Sequence, residues 1–397
     1  MGSWKTVKLT DVAKIQTGIS KSAQRKLKNP IKLPYLRVAN VQDGFLDLDE
    51  VKTISIEQEK YERYSLEYGD ILLTEGGDFD KLGRGTIWRE EIKNCVHQNH
   101  VFVVRTEKKN LIPDYLSLLT SSDYGKRYFI KCSKQSTNLA SINSSQLKAF
   151  PVLFPDIKTQ EEIIERASLW DTGIEKTEAL IHAKEHQFGW LQKSVLDDDF
   201  KSYGGHLSDY AGIMKQQKIE EVGYLKPLTV KLHCKGIEAN ERDVQITLSK
   251  KGRPYFQRFS GEFLIGRQSF HNGGFGIVPK QLDGFIASSA ITTLEIDPAK
   301  LDPKYLFYFF SRKDYYLRIG HIMDGTVQKE LSDKQIMKLP VSIPSIDKQK
   351  EVVALLDTAQ QEITLLKKLA DQYRTQKRGL MQKLLSGEWH IKNKEGA

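Results

Sequence analysis

Two stretches of this chain read almost alike. FPVLFPDIKTQEEI runs from Phe150 to Ile163, and LPVSIPSIDKQKEV runs from Leu339 to Val352. Pro151 and Pro340 stand 189 residues apart, and the same offset aligns Thr137 with Thr326, Gln146 with Gln335, Pro155 with Pro344 and Gln160 with Gln349. Slightly different offsets extend the match upstream. PDYLSLL at Pro113 faces PKYLFYF at Pro303, GDILL at Gly69 faces GEFLI at Gly261, and LTDVAKI at Leu9 faces LSDYAGI at Leu207. The drift marks loops of unequal length. The chain is two copies of one unit, each a variable globular part followed by a regular tail.

The tails read as helices. Steps of four and three from Ile163 pass through Ala167, Trp170, Ile174, Thr177, Ile181, Lys184, Phe188, Leu191 and Val195, and eight of these ten positions are apolar. The second tail gives Val352, Leu356, Ala359, Ile363, Leu366, Ala370, Tyr373, Lys377, Leu380 and Leu384, with nine of ten apolar. A 4-3 seam this long keeps one stripe facing a partner helix, as in a coiled coil. Gly173 and Gly189 cost about 1 kcal/mol each against alanine, far less than the seam gains. Pro155 and Pro344 suit the helix starts, and Gly204-Gly205 suits a hinge between the copies. About 36 residues at 1.5 Å each make a rod of roughly 54 Å. Antiparallel pairing of the rods is expected, with a pseudo-two-fold relation between the copies.

The globular parts read as mixed α/β. YLRVANV, GDILLT, HVFVVRT, PLTVKLHC, DVQITL and AITTLEI carry strand patterns. IPDYLSLLTSSDYGKRYF and DPKYLFYFFSRKDYYLRI each read as one helix after a proline-marked start. The expected fold class is α+β. The expected layout is a first globular domain at 1–155, a long helix at 156–200, a second globular domain at 201–343, a second long helix at 344–390 and a tail at 391–397.

Composition narrows the function. At 397 residues, with 39% hydrophobic and 10% aromatic side chains, the chain has material for more than one core. The formal net charge of +9 points to an anionic partner, with nucleic acid leading. Cys95, Cys132 and Cys234 form no CxxC and read as reduced thiols. No apolar run approaches the ~18–20 residues of a membrane span, and the N-terminus lacks an apolar signal core, so a cytoplasmic protein without membrane contact is expected.

Catalytic patterns do not emerge. The glycine-rich run TEGGDFDKLGRGT from Thr74 lacks the GxxxxGK[ST] order of a phosphate cradle. CVHQNH from Cys95 offers poor zinc spacing, and Asp197-Asp198-Asp199 reads as a solvated helix end. GxSxG, GxGxxG and the aromatic Asn/Asp-Pro-Pro tetrad of amino-methyltransferases are missing from the sequence. The reading is of a protein that binds and positions, with no catalytic residues and no metal site of its own.

Contact chemistry remains. Basic and amide side chains gather in the loops of both copies. In the first these are Lys21, Arg25, Lys26, Lys81, Arg84, Gln135 and Asn138. In the second they are Lys215, Lys218, Lys250, Lys251, Arg253, Arg267, Gln268, His271, Thr326 and Gln328. Lysine and arginine suit phosphates, arginine suits guanine, and amides suit adenine in the major groove. Arg267 and Gln268 have the chemistry for base edges, and Lys250 and Lys251 for phosphates.

Taken together, the whole chain resembles the specificity subunits of type I restriction-modification systems. The resemblance rests on the two-copy layout and on the helix entries Pro155…Gln160-Glu161-Glu162-Ile163 and Pro344…Gln349-Lys350-Glu351-Val352. LPYLRVANVQDGFLDL from Leu33, NHVFVVR from Asn99 and GTVQKELSDKQIMKLPV from Gly325 add to it. Each motif alone is moderately specific, and together they span nearly all residues. The resemblance implies two target-recognition domains, each reading half of a split double-stranded DNA site. It also implies antiparallel helices that set the spacing and dock two DNA adenine methyltransferase subunits, with motor-nuclease subunits able to join. S-adenosylmethionine, ATP and Mg would then belong to the partners, and this chain would hold no cofactor. Ile163, Trp170, Ile174, Ile181, Leu191, Val352, Leu356, Ile363, Leu366 and Leu380 would build the coiled coil and its docking surface. Leu169, Leu180, Leu355 and Leu365, off the seam, are expected to be open to partner subunits. The second copy lacks a counterpart of LPYLRVANV, so a different construction is expected there. Two other readings stay open: a nuclease or methyltransferase with its own catalytic site, and a coiled-coil tether holding two protein-binding domains apart.

Overall fold

The four-three seam becomes two long helices, Ile157–Val195 and Ile346–Leu385. The computed structural model describes residues 4–20, 27–77, 82–135, 140–196, 204–221, 225–241, 253–322 and 330–389. It divides into two units, Met1–Glu178 with Lys368–Ala397, and Ala179–Lys367. Each long helix therefore contributes one part to each unit.

All twenty seam positions are buried or half-buried. In the first unit Ile163 and Ala167 share a core with Met381, Leu384 and Leu385, while Trp170 packs edge-on against Tyr373. The earlier residues of one helix thus meet the later residues of the other, which makes the pair antiparallel. Asp171 pairs with Lys377 and Glu178 with Arg374 along its flank. In the second unit Phe188, Leu191 and Val195 join a core with Val352 and Leu356. There Lys184 pairs with Glu362 at 2.9 Å and Glu185 with Lys367 at 2.6 Å, again antiparallel. The two seam lysines, Lys184 and Lys377, lay their stems along the stripe and place their ammonium groups on carboxylates.

Each unit is built around the same four-stranded antiparallel sheet. In the first the order is Ala13–Thr17, Val101–Thr106, Ile71–Thr74, Gly85–Ile87. In the second it is Ala211–Ile213, Ile291–Ile296, Phe263–Gly266, Phe275–Ile277. Gly69 and Gly261 open the equivalent strands with φ of 93° and 89°, a conformation that favours glycine and explains the repeated GD/GE start. A two-strand neck closes each unit: Lys5–Lys8 pairs with Pro151–Phe154, and Gly205–His206 with Pro340–Val341. Gly205, expected in a hinge, is part of that neck.

Gln160 and Gln349 join each long helix to its unit in the same way, and both are fully buried. Gln160 Oε1 accepts from Ile112 N–H at 2.9 Å, and its Nε2 donates to the carbonyls of Asn110 and Pro155, both at 3.0 Å. Gln349 Oε1 accepts from Asp302 N–H at 2.8 Å, and its Nε2 donates to Lys300 O at 2.8 Å and Pro344 O at 2.9 Å.

Several elements differ from expectation. The strand expected over YLRVANV is Pro30–Leu36, and residues 38–40 form a tight turn instead. The Asn40 side chain takes the Arg37 N–H and donates to Asp47 O and Glu50 O, so the chain folds back locally. The helix expected from Pro113 is two, Pro113–Ser121 and Asp123–Cys132. Ser122 adopts an extended ψ of 167° and caps the second through Gly125 N–H. Its counterpart divides likewise into Pro303–Phe310 and Lys313–Ile322. PLTVKLHC yields only the short strand Leu228–Val230, hairpinned to Ile237–Ala239, and DVQITL lies outside the described residues.

The different construction expected of the second copy is present. The first unit adds a sheet of Lys52–Glu57, Pro30–Leu36 and Val96–His97, with a parallel pair at Tyr35 and Val96. The second unit adds the Leu228–Val230 hairpin and the pair Tyr255–Gln257 with Ile286–Ser288. Among the described residues no helix is long and apolar enough to cross a membrane.

Candidate nucleic-acid interface

In the first unit the expected contact loops leave the fold from adjoining backbone. Ile19 N–H donates to His97 O at 2.8 Å, and Asn99 N–H returns to Ile19 O at 3.1 Å. Glu75 N–H donates to His100 O at 3.0 Å, and Ile142 N–H to Glu75 O at 2.8 Å. Gly76–Gly77 pairs with Ala140–Ser141, which pairs with Lys134–Gln135. The flanks of 21–26, 78–81 and 136–139 are thereby stitched together. Lys21, Arg25, Lys26, Lys81 and Asn138 themselves lie outside the described residues, while Gln135 ends its short strand. Arg84 is half-buried and turned inward, with Nη1 donating to Gln42 Oε1 at 3.0 Å and Nη2 to Val38 O at 3.3 Å. A Cβ on the preceding Gly83 would stand 2.4 Å from the Phe129 ring, so the Gly-Arg-Gly turn is shaped by packing.

The second unit assembles its edge through another chain of backbone bonds. Ile219 N–H donates to Tyr255 O at 3.0 Å, Ser289 N–H to Pro254 O at 2.9 Å, Arg267 N–H to Ala290 O at 3.1 Å, and Leu331 N–H to Arg267 O at 3.0 Å. The segments around Lys218, Arg253, Arg267 and residues 330–331 form one continuous border. Lys215, Lys218, Arg253 and Gln268 are exposed on it. Arg267 is anchored, its Nε donating to Leu331 O at 2.9 Å and lying 3.3 Å from Glu330 Oε1. Gln268 Nε2 donates to Glu330 at 3.3 Å, and the half-buried His271 ring meets Asn272 Nδ2 at 3.0 Å. Lys250, Lys251, Thr326 and Gln328 lie outside the described residues.

A buried guanidinium that the residue pattern did not mark supports this border. Arg258 is 1% exposed and donates to Gln216 Oε1, to Thr293 Oγ1 at 2.7 Å and to Ile291 O at 2.8 Å. Burial pushes its pKa down to about 10, against the opposing pull of Glu262. Gln216 faces inward to it, so its neighbours Lys215 and Gln217 face outward, as alternation along an extended chain requires.

Of the CVHQNH residues weighed as zinc ligands, Cys95 and His97 are committed to the core, while His100 is exposed beside Glu75. Cys95 is buried, and burial pushes its thiol up to about 12. His97 is fully buried, and burial holds it down at about 4, with Nδ1 against Val101 O at 2.8 Å. Among the described residues, no group of three or more His, Cys, Asp or Glu side chains could hold a metal ion. A polar groove of about 800 Å³ in the first unit is lined by residues such as Phe45, Arg89, Asp114, Asp171 and Lys377. Both of its cations are paired within it, Arg89 with Asp114 and Lys377 with Asp171.

The long helices leave apolar side chains uncovered. Leu169, Leu180, Leu355 and Leu365 are 44–67% exposed, and Trp190, which the seam reading passed over, is 69% exposed. The seam residues expected to build the coiled coil lie on the covered stripe, with Ile163, Ile181, Val352, Leu356 and Ile363 buried and Trp170, Ile174, Leu191, Leu366 and Leu380 half-buried.

Comparison with known proteins fits this geometry. The family model for the type I restriction modification DNA specificity domain matches residues 1–203 and 237–372. A putative type I restriction enzyme MjaX specificity subunit of Methanocaldococcus jannaschii is 22% identical, covering 98% of this chain and 94% of its own. Among solved structures, the HsdS subunit of Thermoanaerobacter tengcongensis has 14% identity, a TM-score of 0.50 and 97% coverage of both chains. A chain from a structure addressing complex assembly and conformational transition of a type I R-M system has 12% identity, a TM-score of 0.62 and 98% coverage of both. At these identities the solved structures speak for the fold.

Proposed function

The chain belongs to the type I restriction-modification DNA specificity family, and from that membership we propose a division of labour among its parts. It is a specificity subunit: it recognises DNA sequence, assembles with other subunits and has a non-catalytic role. Each unit reads one half of a split double-stranded site through the border described above. Lysines and arginines on the loops hold phosphates, and a few anchored side chains reach base edges in the major groove. Leu169, Leu180, Trp190, Leu355 and Leu365 on the long helices dock partners, taken to be two DNA adenine methyltransferase subunits, with motor-nuclease subunits joining them. S-adenosylmethionine, ATP and Mg act on those partners.

One observation carries the reading. Both units place unlike side chains on a like backbone frame, which is what a two-part reader of an asymmetric sequence needs. The alternative with an intrinsic catalytic site has no support from Cys95 or His97, which are packed away from solvent. The test is selection from randomised duplexes by this chain together with its methyltransferase. Two short fixed blocks separated by an unspecified gap are expected. A single continuous block, or no preference, sinks the reading, as does DNA cleavage or methylation by the chain alone.

A further inference from the structure

The two units share one position whose equivalence no motif marked. Glu75 directly follows the strand Ile71–Thr74, and Arg267 directly follows Phe263–Gly266. Glu75 N–H donates to His100 O and its carbonyl accepts from Ile142 N–H. Arg267 N–H donates to Ala290 O and its carbonyl accepts from Leu331 N–H. Both residues are half-exposed at the root of the contact loops, and each is steered by an oppositely charged or ionisable neighbour. Glu75 Oε2 lies 2.5 Å from His100 Nδ1, and Arg267 Nε lies 3.3 Å from Glu330 Oε1. Backbone frame, depth and steering agree, while the side-chain charge is reversed.

A carboxylate is costly on a border that must accept phosphates, because it repels the backbone at every sequence. It is useful there if it takes a hydrogen bond from a base. In the major groove cytosine presents only its N4 amino donor, whereas adenine sets its N7 acceptor beside its N6 amino group and so opposes a carboxylate. Building on the DNA-reading proposal above, we infer that Glu75 and Arg267 are matched base-reading positions, Glu75 accepting from cytosine N4 in the first half-site and Arg267 donating to guanine in the second.

The test uses the chain assembled with its methyltransferase and a duplex library randomised across the selected site. If wild type shows no two-part preference, the DNA-reading proposal has already failed, independently of Glu75. If it does, Glu75→Gln should relax one position of the first half-site by roughly 10-fold or more in discrimination. It should at the same time raise affinity for unrelated duplex, since a repulsive charge is gone. Glu75→Arg should move that position from cytosine toward guanine. A second arm needs no variant: duplexes in which each first-half cytosine in turn lacks its N4 amino group are offered to wild type. One of them should bind as weakly as a mismatched site. An unchanged preference in Glu75→Gln, a uniform loss over all sequences, a change in the second half-site, or no cytosine sensitive to loss of its amino group would each overturn the inference.

Discussion

Gln160 and Gln349 show how much one buried side chain decides. Each amide bonds one N–H and two carbonyls at the entry to a long helix. Gln349→Leu strands the Asp302 N–H and the Lys300 and Pro344 carbonyls, and each stranded group costs about 1–3 kcal/mol. A loss of about 3 kcal/mol or more is expected in chemical denaturation of the second unit. Gln160→Leu should cost the first unit a similar amount, and unequal losses would deny the equivalence. His97 sets a pH dependence. Burial lowers its pKa from 6.5 to about 4 against weaker opposing effects of Val101 O and Asp70, with Arg105 adding to the lowering. The folded state therefore binds fewer protons than the unfolded state between those values. Stability is full above pH 6.5 and falls by about 3 kcal/mol as pH drops toward 4. His97→Asn keeps a donor for Val101 O without the titration, so its first unit should lose less stability over that window. Amide exchange of the strand Val101–Thr106 measures it, and parallel curves for the two proteins would refute the assignment.

At the scale of elements, the long helices were legible because period alone specifies them: every seam position is covered. The repeated GD/GE and proline-started helices were legible because they carry local backbone demands. Less legible were the breaks at Ser122 and at Ser311-Arg312, since apolar spacing continues across them; at Ser122 a side-chain cap outweighs it locally. The turn at 38–40 was hidden because its strand-like composition is overruled by Asn40 bonds to residues seven and ten positions away. The Glu75–Arg267 match lay two residues beyond the aligned GDILL and GEFLI. Arg258 was invisible for another reason: a buried arginine is known only by what surrounds it. It holds the segment at 214–219 from beneath. Arg258→Met removes a charge whose burial is itself costly, so global stability should change by less than about 2 kcal/mol. The amides of Met214 and Ile219, bonded to Thr293 O and Tyr255 O, should nonetheless exchange faster, while those of Phe263–Gly266 stay as they were. Equal loss of protection in both places would make Arg258 a general core residue instead.

At the scale of the whole molecule, each unit's variable part enters and leaves at its neck. Gly205 pairs with Val341 and His206 with Pro340, while Val7 pairs with Val152 and Lys8 with Pro151. A segment whose two ends lie side by side can be exchanged without stretching the chain around it. The helix residues beneath the exchanged parts are also equivalent, Ile163 and Ala167 in the first unit, Val352 and Leu356 in the second. Residues 205–343 can therefore be replaced by a second copy of residues 7–154. The resulting chain should still join its methyltransferase, because the exposed helix residues Leu169, Leu180, Trp190, Leu355 and Leu365 are untouched. It should select a site in which the first half-site occurs twice and the second is lost, as read from methylated positions in duplex libraries. Persistence of the original second half-site would place its reading outside residues 205–343. A site altered in both halves would mean that the two units do not read independently.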